Sequence, residues 1–288
     1  MPEFLQSHPQ LLAIALNVLR LSLWLVILAV IFLPLELFFA VRRANNPRRS
    51  LLGDLGYYFI SGLLPNLLLA PLLAVAAYAA YHLVPGRIHA AVAAWPIWLR
   101  GLAAFVVGDL GFYWGHRLTH QIPLLWRFHA VHHAPEHVYF LISSRAHPVD
   151  FVFIRLFGLV PIYILGLGAP QSVQGTMIAT VIMLLVTVWG FFIHANIRWR
   201  LGPLEWLIAT PAFHHWHHTR TDARDRNYAS MLPWMDRLFG THHLPARDWP
   251  AAYGIDTALP ATLVGQLIHP FRPQPEPPAP DPAAISPR

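Results

Sequence analysis

From Leu11 to Ala40 the chain runs for 30 residues with two charges, Arg20 and Glu36. Coiled at about 1.5 Å per residue, such a run is longer than a hydrocarbon core of roughly 30 Å. In that medium each backbone N–H and C=O must be satisfied within the protein, and an unbroken apolar run meets the demand as a helix. Similar runs extend from about Leu55 to Val84, ending at Pro85-Gly86, and from about Ile97 into the sequence His-Arg-Leu-Thr-His. Two more, Phe151 to Leu167 and Val173 to Ile193, are separated by Gly168-Ala169-Pro170 and read as a hairpin whose arms are short enough to be re-entrant. The expected fold class is all-α integral membrane, with about four to five transmembrane or re-entrant helices. Composition points the same way: 12% of residues are charged, against about a quarter in soluble domains.

Arginines set the expected orientation. Arg42, Arg43, Arg48 and Arg49 follow the first run closely, and short arginine-rich loops stay on the cytoplasmic side. The N-terminus is then outside, and alternation brings the end of the third run, both ends of the hairpin and everything after Arg198 to the cytoplasmic face. The basic residues sit at the ends of apolar runs, where they read as membrane anchors and not as a nucleic-acid surface. The expected organisation is an N-terminal helix and arginine-rich loop over 1–50, a catalytic membrane domain over 51–245, and a C-terminal extension over 246–288 that is Pro-rich and disordered from 269.

All 20 basic residues are arginine, and neither lysine nor cysteine occurs. This excludes Schiff-base and thiol nucleophiles, disulfides, iron–sulfur clusters and thiolate-bound metals. Histidine, by contrast, occurs 18 times. His116 and His120 lie four apart, on one face of a helix. His129, His132 and His133 repeat the helical spacing i, i+3, i+4, and His214, His217 and His218 repeat it again. Eight imidazoles exceed the four positions of a tetrahedral zinc ion and fit two metals. Imidazole suits iron, zinc, copper and nickel alike, so ligand type alone does not name the element. His194, at the end of the last apolar run, is a ninth candidate. His215 is turned about 100° from His214 and is a poor ligand.

Polar residues in or beside a membrane helix call for an explanation. Asp109, two turns before His116, is expected to orient a ligating imidazole, with an ion pair to a nearby arginine as the alternative. Arg145 and His147 form a polar cluster just before an apolar run, with Arg145 expected behind a ligating histidine and His147 read as a ligand or as a group behind one. Pro148 and Asp150 read as a helix start.

The boxes His116-Arg-Leu-Thr-His120, His129-Ala-Val-His132-His133 and His214-His215-Trp-His217-His218, with an apolar hairpin between the second and third, resemble the integral-membrane fatty acid hydroxylase and sterol desaturase superfamily. So do Asp109 with Tyr113, Arg145 with His147-Pro148, His194-Ala195-Asn196, Asn227-Tyr228, and Trp234-Met-Asp-Arg-Leu-Phe-Gly-Thr241. Gly190 departs from the pattern, since some family hydroxylases carry a histidine there. The resemblance implies a non-haem di-iron centre on the cytoplasmic side of a bacterial inner membrane, held by His116, His120, His129, His132, His133, His194, His214, His217 and His218. It also implies that O2 is used to hydroxylate or desaturate a bilayer lipid. Without cysteine the chain has no iron–sulfur donor, so electrons are expected from a separate electron-transfer protein in an external reductase chain, ultimately from NAD(P)H. Two other readings compete with it. One is a membrane di-zinc metallohydrolase, for which Glu136 and Asp222 are the acids nearest the boxes; the other is a metal transporter or sensor.

Overall fold

The computed structural model describes residues 8–42, 48–168 and 173–273. Part of the arginine-rich loop, Ala169-Pro170 and the Pro-rich segment from 274 onward lie outside the described residues. The described chain is helical; its β-pairing is one isolated bridge between Thr219 and Tyr253.

Helices α1 (Pro9–Phe39), α2 (Arg48–Leu83) and α7 (Val173–His194) contain segments long and apolar enough to cross a membrane. Helices α3 (Gly86–Ala93) and α4 (Ile97–Gln121) meet at a 118° bend and together make a fourth candidate. Helix α6 (Pro148–Ile164) is the first arm of the expected hairpin and has 17 residues. Val26, Val30, Leu37 and Phe38 of α1 are exposed, as a lipid-facing surface requires.

The spans pack through two kinds of contact. Near α1, Leu28 and Phe32 join Tyr58 of α2, Phe191 of α7 and Phe140-Leu141 in one buried cluster. Between α4 and α6, glycine lets the backbones approach. A Cβ on Gly111 would fall inside the van der Waals envelope of the Phe157 carbonyl, and one on Gly158 would lie 3.2 Å from the Gly108 carbonyl oxygen. Small residues at such a crossing are how membrane helices gain close packing without a hydrophobic drive. The α4–α6 crossing fixes the end of α4, where His116 and His120 stand.

Short elements complete the cap: α5 (Pro123–His133), α8 (Pro211–His217), α9 (Trp234–Leu238) and α10 (Leu263–Ile268). Proline at the first turn starts α5, α6 and α8, where a missing N–H costs nothing. Thr210 caps α8 by accepting from the Phe213 amide at 3.3 Å, which sets the phase of the third box. Residues 246–273 are packed into this cap: the Ala252 carbonyl accepts from the Arg220 amide, and Gln266 and Leu267 accept from Arg145 and His147.

Candidate metal centre

The three boxes and His194 meet in two buried groups of imidazoles. One holds His116, His120, His129, His133 and His217; the other holds His132, His194, His214 and His218, and within each group the candidate ligand atoms all lie within 4.8 Å of one another. The second box is shared between the groups. On α5, His129 and His133 face one way and His132 the other, so the helix is a wall with a cluster on each side. The third box divides in the same manner, His217 to the first group and His214 with His218 to the second.

Hydrogen bonds fix which nitrogen of each ring faces inward. The Nδ1–H of His116 donates to the Tyr228 carbonyl (2.8 Å), that of His132 to Arg145 (3.0 Å), that of His194 to Gly190 (2.6 Å) and that of His217 to Arg226 (2.7 Å). Two more donate to carboxylates: His129 to Asp150 at 3.0 Å and His120 to Asp225 at 2.9 Å. A carbonyl or carboxylate only accepts, so in these six rings the proton is on Nδ1 and the Nε2 lone pair is free. Yet the Nε2 atoms of His116 and His129 are 3.2 Å apart, and those of His132 and His194 are 3.2 Å apart. Lone pairs facing each other at that distance repel. The Nε2 atoms of His120 and His217 are buried with no partner at all. A cation at the focus of each group turns both costs into coordination, so this donor set fits a metal ion.

Two of these acceptors, the Arg226 and Tyr228 carbonyls, come from a loop that two carboxylates hold in place. Asp236 accepts from the amides of Tyr228 (2.7 Å) and Ala229 (2.9 Å) and from the Thr241 hydroxyl (2.6 Å). Asp109 accepts from the amides of Met231 (3.1 Å) and Leu232 (2.8 Å). Asn227, at φ +57°, turns the chain sharply, and its side chain bonds the Phe213 and His243 carbonyls. The turn aims the Arg226 and Tyr228 carbonyls at His217 and His116.

Two sequence expectations change, those for Asp109 and His147. Asp109 is expected behind a histidine, but it grips the 231–232 backbone and touches no imidazole. His147 lies in neither group: its Nδ1 accepts from the Val149 amide at 3.2 Å, capping α6, and its Nε2–H donates to Leu267 at 3.0 Å. Arg145 acts through its carbonyl on His132, while its guanidinium forms a buried ion pair with Asp54. His215 is held by the Tyr253 hydroxyl and the Ala195 carbonyl, away from both groups as expected. No sequence spacing marks the roles of Asp54, Asp225, Tyr228 or Glu36. Asp150 stands in the first turn of α6, as its place in the sequence predicts, and its carboxylate also holds His129. Glu36 accepts from the amides of Phe140 (2.8 Å) and Asn196 (2.9 Å), tying α1 to the end of the span that bears His194.

Burial pushes the His129 imidazole down to about 3 and His132 down to about 4, and holds His133, His214, His217 and His218 well below the usual 6.5. The fold therefore binds fewer protons than the unfolded chain below about pH 6.5. Stability from these rings is complete above that value and is lost as pH falls toward 4 and 3. Metal-free protein is expected to melt at progressively lower temperature from pH 7 to pH 4; a flat or rising profile between pH 7 and 5 would contradict the assigned neutral state.

The sequence profile of the fatty acid hydroxylase family matches residues 101–241, which contain all nine clustered histidines. Residues 101–241 are a match to the fatty acid hydroxylase family. Relatives of the chain include an ornithine lipid hydroxylase of Rhizobium tropici, 33% identical over 178 residues that make up 62% of this chain and 52% of the relative. An alkylglycerol monooxygenase of Danio rerio is 36% identical over 149 residues, 51% of this chain and 30% of its own length. Methylsterol monooxygenase 2-2 of Arabidopsis thaliana is 31% identical over 137 residues, 48% of this chain and 50% of its own. The chain thus spans about half the length of the first and third relatives and less of the second. No solved structure matches it. The family match begins after Glu36 and Asp54 and ends before Gln266, so several groups that brace the histidine site lie outside it.

Proposed function

We propose that this protein is a membrane-bound di-iron oxidoreductase that uses O2 to hydroxylate or desaturate a C–H bond of a lipid. Sterols, fatty acyl chains, sphingolipids and ether lipids are the substrate classes. The observation that carries the reading is the pair of buried imidazole groups, five and four strong, with ring tautomers fixed by outward hydrogen bonds. The first group would hold one iron and the second the other, with His132 and His133 bringing the two together through one turn of α5.

When bound, the iron pair supplies the oxidising power that an unactivated C–H bond demands and that zinc lacks. The protein's own share is positional. The carbonyls of Tyr228, Arg145, Gly190 and Arg226 keep each Nε2 lone pair directed inward, and such outer hydrogen bonds raise ligand basicity. Asp150 and Asp225 place negative charge behind His129 and His120, which offsets the charge that neutral imidazoles leave on two cations. Both groups contain histidine alone. A di-zinc hydrolase asks for a carboxylate ligand or base, and the carboxylates here stand behind rings, while Glu136 is exposed and paired with Arg220.

The lipid enters from the bilayer, and electrons come from a separate protein in a reductase chain fed by NAD(P)H, because a cysteine-free chain holds no iron–sulfur relay. The arginine-rich loop after α1 supports placing the histidines on the cytoplasmic side of a bacterial inner membrane. Protein expressed with ample iron and purified in mild detergent is expected to contain about two iron ions per chain and to consume O2 when given lipid and electron donor. Mass spectrometry of lipids from expressing cells is expected to reveal a product with one added oxygen or two fewer hydrogens. Stoichiometric zinc without iron, together with no lipid-dependent O2 uptake, would overturn the reading.

A further inference from the structure

Apart from the histidine groups, a cavity of about 840 Å³ opens between the Gly202–Trp206 turn and α9, lined in part by Arg200, Trp206, Arg237 and His242. Three nitrogens of its lining side chains are buried without a hydrogen-bond partner: Arg200 Nη1, Arg237 Nε and His242 Nε2. The Arg237 guanidinium carbon sits over the Trp206 ring, 3.6 Å from its centroid, and among the described residues Arg237 has no ion pair with a carboxylate. Two acids also line the cavity, but both are engaged. Glu205 forms an ion pair with Arg200 Nε at 3.4 Å and accepts from the Leu201 amide, Arg200 Nη2 donates to the Pro245 carbonyl, and Asp236 takes the three donors of the Tyr228 loop. The Arg200 and Arg237 nitrogens are thus cationic donors left over, and each is costly while it stays unpaired.

The surroundings say what kind of anion fits. Trp206, Leu207 and Leu238 are 62%, 64% and 67% exposed, so the rim of a cationic cavity is apolar. Both walls stand beside membrane spans. Trp189 of α7 donates its indole N–H to the Ala209 carbonyl at 2.9 Å, just beyond the first wall. Phe239, directly after α9, stacks on Tyr113 of α4 with ring centroids 5.0 Å apart. An arginine pocket with a Trp–Leu rim at the end of two spans is the arrangement of an interfacial lipid site, with apolar side chains in the acyl boundary and guanidinium groups at headgroup depth.

We propose that this cavity binds the phosphate of an anionic phospholipid headgroup, with Arg237 and Arg200 donating to the phosphate oxygens and Trp206 holding Arg237 in place. Arginine suits this ligand because its planar fork meets two oxygens at once. The site is distinct from the histidine groups and does not depend on which reaction they perform.

The test uses the full chain, purified in mild detergent, stripped of lipid and titrated with phosphatidylglycerol or phosphatidylcholine while native mass spectrometry counts bound lipid. Phosphatidylglycerol is expected to bind in preference to phosphatidylcholine. Arg237→Gln should weaken it by about tenfold or more, the range for hydrogen bonds to a charged group, and Trp206→Ala, at an exposed position, should weaken it severalfold. Arg87→Gln, on the exposed surface of α3, should bind as the parent does. Metal content equal to the parent's verifies that each variant is folded, and Trp206→Ala carries the test if Arg237→Gln is not. Inorganic phosphate forms the second arm and is expected to compete poorly. Parent-like phosphatidylglycerol binding in a folded variant would overturn the proposal. Arg237-dependent binding of inorganic phosphate as tight as that of the lipid would overturn it too, in favour of a free-anion site.

Discussion

Replacing His132 by alanine is expected to lower the bound metal from about two ions per chain to about one, and to reduce lipid oxidation by more than the roughly 10- to 100-fold that loss of an outer hydrogen bond alone produces. The direction follows from where the ring sits. His132 belongs to the group of four, with His194, His214 and His218, and its removal leaves three imidazoles around a cation that must also keep a position open for oxygen or substrate. His217→Ala acts on the group of five and leaves four, so it is expected to retain more metal than His132→Ala while losing activity to a similar degree. His137→Ala, on an exposed ring outside both groups, is the matched control and should keep metal and activity. Elemental analysis of the three purified proteins, run beside O2 uptake, reads these differences. Two metals retained in both ligand variants, or equal loss in all three proteins, would mean that the grouping is wrong.

Much of that site was legible in the sequence, because helical spacing converts directly into geometry. The i, i+3, i+4 pattern places three rings on one broad face, and apolar runs fix which ends of which spans bear them. What spacing does not carry is the division into two groups. His132 and His133 are adjacent, and only the approach of α7 on one side and α4 on the other decides which metal each would serve. The carboxylates were harder still. Asp109 sits at the right helical offset from His116, yet the loop after Tyr228 approaches α4 and takes both its oxygens. Asp150 looked like first-turn charge at a helix start, and it is that; its reach to His129 depends on how α6 crosses α5, a fact of tertiary packing. Asp225, Glu36 and Asp54 gave no signal because their partners lie 105, 104 and 91 residues away in sequence.

Asp54 has the largest structural effect predicted for any residue outside the histidine groups. Asp54→Ala leaves the Arg145 guanidinium buried without its counter-charge, and breaking a buried pair in this way costs about 3–5 kcal/mol. For a chain of this size that lowers the apparent melting temperature by something on the order of 10 °C. The residue is tied in further by the Tyr139 hydroxyl, which donates to it at 2.6 Å, while Arg145 also bonds Gln266 at 3.0 Å and the Val131 carbonyl at 3.2 Å. Those last two contacts join α5 to α10 through one side chain, and the carbonyl of the same residue accepts from His132. Loosening Arg145 therefore moves a ring of the four-membered group, so Asp54→Ala should lose metal from that group before it unfolds. Removing both charges, as Asp54→Leu with Arg145→Met, deletes the unpaired charge and is expected to recover most of the melting temperature, since apolar replacement of a whole buried pair is often neutral or better. The double variant still has a residue 145 carbonyl to hold His132, so its metal content should recover as well. If Asp54→Ala melts within about 2 °C of the parent, a shift worth only about 1 kcal/mol, the pair does not brace the site; if the double variant is stable yet stays metal-poor, the charge on Arg145 matters to the centre itself.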